Sequence, residues 1–92
     1  MKASYLVCYD IREEHRLARV YKLMKQMGIH VQYSVFHCRL TWNELVELKE
    51  KLKGIVDENE DDIRIYPLPQ EYKVTIMGCG DRIPEGANIF LP

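Results

Sequence analysis

The sequence predicts an α+β fold with elements in the order β-α-β-β-α-β, the ferredoxin-like pattern, plus one additional strand near the C-terminal end. Three observations carry this. The eight-residue apolar segment Ala3–Asp10 opens the chain and gives way at once to charge. Two segments, 13–27 and 41–55, repeat apolar residues at three- and four-residue spacing, the period of a helix with one buried face. Between and after them, 29–40 and 62–68 are rich in β-branched and aromatic residues. Ninety-two residues with 47% apolar content suit a single domain spanning 1–92. A chain of this size hides only about 60–65% of its unfolded surface, so self-association would add stability.

In the first segment Tyr5, Val7 and Tyr9 alternate with Ser4, Leu6 and Cys8. Both faces are mostly apolar, which predicts a central strand covered on two sides. The following helix presents Leu17, Val20, Tyr21, Met24 and Met27 as its stripe. Gly28 is expected to end it in the left-handed conformation, with Lys22 and Lys25 suiting the negative end of the dipole. Within 29–40, Ile29, Val31, Tyr33 and Val35 hold one phase, then Phe36, Cys38 and Leu40 hold the other. Such a switch means either a bulge or two strands joined by a very tight turn. No Asn-Gly or glycine-rich pair marks a join.

Thr41 and Glu44 have the spacing of a capping box, and Leu45, Leu48, Leu52 and Ile55 form the second helical stripe. Glu47 and Lys51 are placed for an i,i+4 pair, and Gly54 interrupts or ends the helix. The acidic run 57–62 is expected to be a solvated loop; it lacks the glycine and spacing of a calcium-binding EF-hand. A strand follows over 62–68, with Pro67 marking an edge or a strand end. A further strand is expected over 72–77, then a turn at 78–81, and a tail strand within 85–92 that needs a partner edge. A second copy of the chain is the obvious supplier, giving a two-fold homodimer.

The formal net charge of −1 excludes a highly cationic nucleic-acid coat. It hides an asymmetry: residues 1–53 carry ten Lys/Arg against six Asp/Glu, whereas 54–92 carry three against eight. Phosphate is therefore expected at the basic half. No apolar run approaches the ~18 residues needed to cross a bilayer, so no membrane partner is expected. Cys8, Cys38 and Cys79 are odd in number and lack C-x-x-C spacing, which predicts reduced thiols in a cytoplasmic protein rather than a disulfide framework or a structural zinc site.

Asp10 stands directly after an apolar strand, where a carboxylate is displayed at the rim of the core. It can serve a metal or phosphate site, or satisfy the N–H groups of the coming helix. One carboxylate is a poor Mg²⁺ site, but a two-fold dimer would set a second Asp10 opposite the first. Arg12, Arg16 and Arg19, at i, i+4 and i+7, are expected on one helical flank where they can follow a phosphate backbone. Tyr9 and Phe36 read as core aromatics rather than stacking platforms. His15, His30 and His37 show no metal-ligand spacing.

Three stretches, Leu6-Val7-Cys8-Tyr9-Asp10-Ile11, Gly28-Ile29-His30-Val31-Gln32-Tyr33-Ser34-Val35-Phe36 and Asp62-Ile63-Arg64-Ile65-Tyr66-Pro67-Leu68, together resemble the small CRISPR-associated protein two family, the endonuclease-like subunit of spacer acquisition. The resemblance covers nearly the whole chain. It implies a ferredoxin-like domain in a symmetric homodimer, with 29–40 divided into two strands and the segment around Ile89 to Leu91 added to the partner's sheet. It implies that Asp10 binds a divalent cation, Mg²⁺, shared between protomers. Tyr9, Arg19 and Phe36 match positions that the family associates with activity, and Ser34 lies in the same motif. The family often has Glu after Ser-Val-Phe, where this chain has His37.

Two functions follow as expectations. The first is a metal-dependent endonuclease acting on RNA or DNA during spacer acquisition for antiviral defence, with Arg12, Arg16 and Arg19 on the nucleic acid. The second is a non-catalytic dimeric scaffold that bridges the integrase subunit and DNA.

Overall fold

Alternating apolar residues over Ala3–Asp10 form strand β1, and the chain then turns into helix α1, Glu14–Met27. Strands β2, Ile29–Gln32, and β3, Val35–Leu40, lead to helix α2, Trp42–Lys53, and strand β4, Asp62–Pro67. The computed structural model describes residues 1–72 together with Thr75 and Met77. The expected turn at 78–81 and tail strand at 85–92 lie outside these residues, as do parts of the strand expected over 72–77. Tyr72, Thr75 and Met77 are not in a strand.

The four strands form one antiparallel sheet in the order β2-β3-β1-β4. β1 is central, as its double apolar face predicts, and β4 is an edge, as Pro67 predicts. Residues opposite one another in an antiparallel ladder share a face. The register therefore sets Tyr5, Val7 and Tyr9 with Phe36, Cys38, Ile63 and Ile65 on the face that the helices cover. On the other face lie Ser4, Leu6, Cys8 and Asp10, with Val35, His37, Arg39, Asp62, Arg64 and Tyr66. Burial on both sides is only half realised in one chain: Val7 is fully buried, while Leu6 and Cys8 are half-buried.

Part of that second face is covered by the chain itself. Leu68 N–H bonds to the Ser4 carbonyl at 2.9 Å, and the Tyr72 hydroxyl hydrogen-bonds with His37 Nε2 at 2.7 Å. His37 is thereby 1% exposed, and burial, aided by the Arg39 charge, pushes its pKa below the usual range.

α1 buries Val20, Leu23 and Met24. Leu17 and Tyr21, expected in the stripe, sit at its exposed rim, and Leu23 takes the buried place. Glu13 caps the helix, accepting the N–H groups of His15 at 2.7 Å and Arg16 at 3.0 Å, which hold its carboxyl down to about 2. Gly28 is not the left-handed cap expected, because its backbone is extended at φ −161°, ψ −167° and leads straight into β2. It is glycine for clearance. A Cβ there would stand 2.5 Å from the His37 carbonyl oxygen and 2.6 Å from Cys38 Sγ.

The phase switch in 29–40 contains both devices that the pattern allows. Two strands meet at a Tyr33-Ser34 turn, and the ladder is irregular between His30 and Gln32. Tyr33 takes the positive φ, +33°, that Asn or Gly would ordinarily supply. The capping box forms as spaced, with Thr41 N–H to Glu44 Oε1 at 2.8 Å and Glu44 N–H to Thr41 Oγ1 at 3.1 Å. Leu45, Leu48 and Leu52 are buried, and Lys51 meets Glu47 at 3.0 Å.

Candidate nucleic-acid and metal site

Asp10 ends β1 with its side chain exposed on the face away from the helices. Helix α1 has its own cap in Glu13, so Asp10 is not needed for that purpose. Among the described residues its carboxylate accepts no hydrogen bond and joins no ion pair. Its opposite residue in the ladder is another acid, Asp62. Like charges so placed repel, and Asp62 is steadied by Arg64 Nε at 3.0 Å. Nothing in the 62–68 pattern announces this juxtaposition; only the β1–β4 register reveals it.

Tyr9 and Phe36 are 7% and 0% exposed, with rings stacked at 6.3 Å between centroids, so both are core residues behind the strand end. Tyr9 is wired to the β2–β3 turn, its N–H bonding to the Ser34 carbonyl at 3.0 Å. Burial raises the Tyr9 phenol above its ordinary pKa, with Tyr21 adding to the rise and Ser34 opposing it. These contacts hold Asp10 in place from one residue away.

The three arginines do not share a helical flank. Arg12 precedes the cap and lies in the β1–α1 loop, exposed, while Arg19 is exposed on α1. Arg16 is bound within the chain, its Nε to Asp61 Oδ2 at 2.8 Å and its Nη2 to Glu60 Oε1 at 2.9 Å. The acidic run is therefore more than a solvated loop. The Asp61 side chain is 0% exposed and also accepts the N–H groups of Arg12 at 2.9 Å and Asp57 at 2.8 Å. Arg16 holds its carboxyl well below the usual range, with the two backbone donors adding to the effect. Among the described residues, neither Arg12 nor Arg19 takes part in an ion pair.

The donor chemistry at Asp10 suits a hard cation, which binds carboxylate oxygen and keeps several waters. Among the described residues, no three His, Cys, Asp or Glu side chains gather into a complete metal cage.

A ferredoxin-like antiparallel sheet whose central strand ends in an exposed carboxylate, with exposed arginines on the adjoining loop and helix, defines a class of small α+β protein. The chain belongs to the CRISPR associated protein Cas2 family, which residues 3–76 match. It is 52% identical over 90 residues to the CRISPR-associated endoribonuclease Cas2 2 of Thermodesulfovibrio yellowstonii, spanning 98% of this chain and 99% of that one. The crystal structure of Streptococcus pyogenes Cas2 is similar at a TM-score of 0.68 and 42% identity, covering 73% of this chain and 87% of its own. That of a hypothetical protein from Thermus thermophilus is similar at 0.78 and 35% identity, covering 85% and 93%. No helix among the described residues is long and apolar enough to cross a membrane.

Proposed function

We propose that the protein is a CRISPR-associated, Mg²⁺-dependent endonuclease that cleaves phosphodiester bonds of RNA or DNA, acting as a symmetric homodimer in spacer acquisition alongside an integrase subunit. The observation that carries this is the exposed Asp10 carboxylate at the end of the central strand, which among the described residues accepts no hydrogen bond, joins no ion pair and faces a like charge at Asp62. Relatives named endoribonucleases support phosphodiester hydrolysis.

Asp10 and its copy from a second protomer would hold one shared Mg²⁺. When bound, the ion supplies an acidified water and neutralises charge on the phosphoryl group. Arg12 and Arg19 bind and orient the phosphate backbone. Tyr9 and Phe36 are positioning residues, fixing the strand end through their packing and the Ser34 contact. The half-buried Leu6 and Cys8 and the edge strand β4 support a second chain closing over the open face.

The test is cleavage of single- and double-stranded RNA and DNA oligonucleotides by the wild type and Asp10→Asn. Wild type is expected to cut in Mg²⁺ and to stop in EDTA. Asp10→Asn is expected to be inactive while melting at the same or a higher temperature, since repulsion from Asp62 is relieved. Equal cleavage by the variant overturns the proposal. The two exposed arginines also favour a second reading, the scaffold that carries DNA to the integrase. In that case integration survives Asp10→Asn and fails when Arg12 and Arg19 become Ala.

A further inference from the structure

Tyr33 is 85% exposed and stands at φ +33°, a backbone region that a bulky residue rarely occupies. A large apolar ring in water, on strained backbone, is what folding alone would remove; Asn or Gly would fit the turn better. The turn is nevertheless firmly held. The Ser34 carbonyl accepts the Tyr9 N–H, and the His30 ring contacts the Tyr33 carbonyl. That His30 ring is itself stacked on Phe36, at 4.8 Å between centroids. The β1–β3 register pairs Cys8 with Val35, and the Tyr9–Ser34 bond continues it. One residue further along, the turn brings the Tyr33 position to the Asp10 end of β1.

We propose that Tyr33 is a stacking platform for an unpaired nucleobase next to the phosphodiester bound at Asp10, which rests on the nucleic-acid function proposed above. A rigid, solvent-facing ring has little freedom to lose on binding, and every base offers a π-face. The contact is therefore sequence-tolerant and favours single-stranded substrate. Because it involves no phosphate, it contributes to affinity without contributing to the salt dependence.

The experiment measures binding of a short single-stranded oligonucleotide in EDTA, with one abasic site moved along the strand. Wild type is expected to lose about tenfold in affinity when the abasic site reaches one particular position. Tyr33→Asn, which suits the positive φ and keeps the fold, is expected to bind the intact strand about tenfold more weakly. It should show no abasic-sensitive position and an unchanged salt slope; Tyr33→Phe should behave as wild type. Wild-type affinity in Tyr33→Asn, or a flat abasic scan in wild type, overturns the stacking role. If wild type cleaves while either result holds, stacking alone fails. If wild type neither binds nor cleaves any nucleic acid, the function itself fails with it. A dimer that dissociates in Tyr33→Asn while strand affinity per dimer is kept would make Tyr33 a protein contact instead.

Discussion

Arg16 and Asp61 join the start of α1 to the approach of β4, with Nε to Oδ2 at 2.8 Å and Nη2 to Oδ1 at 3.2 Å across 45 residues of chain. Asp61 collects the Arg12 and Asp57 backbone donors as well, so the β1–α1 loop and the α2–β4 loop depend on one carboxylate. Arg16→Ala and Asp61→Asn are each expected to lower the melting temperature. The double variant should lose less than the two losses combined, because both remove the same pair. Neither should flatten the salt dependence of nucleic-acid binding, whereas Arg12→Ala and Arg19→Ala each should, by about one released counterion. A flattened slope in Arg16→Ala would put Arg16 back on the phosphate face.

Gly28→Ala tests the clearance between α1 and β3. The added methyl meets backbone oxygen of His37 and the sulfur of buried Cys38, neither of which is the end of a flexible chain. The expected loss is about 1–3 kcal/mol, a fall of roughly 4–24 °C in melting temperature for a domain of this size. Thermal melts of the two proteins decide it, and an unchanged midpoint would mean that β3 yields easily.

Much of this architecture is legible where local chemistry and burial agree. Ala3–Asp10 is a strand because alternation persists to the first charge, and Thr41–Glu44 starts a helix because its capping bonds are local. The misses are matters of long-range geometry. Gly28 has the same identity whether it supplies a left-handed turn or room for β3, and only the neighbouring strand distinguishes them. The Tyr33 turn carries no glycine signal because a tyrosine occupies the strained position. Arg16 shows a helical spacing to Arg12 and Arg19, yet its partner is 45 residues away in an acidic run that reads as solvent-facing. Asp10 was visible from its place at a strand end, while Asp62 became meaningful only through register.

His37 makes stability depend on pH. Its pKa is depressed by burial first and by Arg39 second, so the fold holds it neutral. The unfolded chain takes up its proton near the ordinary value of about 6.5. Stability is therefore full above that pH and falls as the solution is acidified below it, because the unfolded state binds the extra proton. The expected slope is no steeper than about 1.4 kcal/mol per pH unit for this one group. Denaturant melts between pH 7.5 and 5 should show the fall in wild type and a flatter profile in His37→Gln. Parallel profiles would assign the pH dependence to other groups.

β4 is one of the two edges of the sheet among the described residues, and the face away from the helices leaves Leu6 and Cys8 half-buried. An edge strand offers unpaired N–H and C=O groups, and an added strand satisfies them with main-chain bonds whatever its side chains. The segment after Pro84 carries Ile89, Phe90 and Leu91, apolar residues of the kind that such a strand needs. Truncation after Pro84 is therefore expected to convert a dimer into a monomer or an aggregate, read as sedimentation mass across a concentration series. It should also abolish Mg²⁺-dependent cleavage, because each chain supplies only one Asp10 to a shared ion. A truncated protein that remains a stable dimer would exclude strand exchange through this segment. One that cuts as a monomer would exclude the shared site, and Asp62 would become the next carboxylate to substitute.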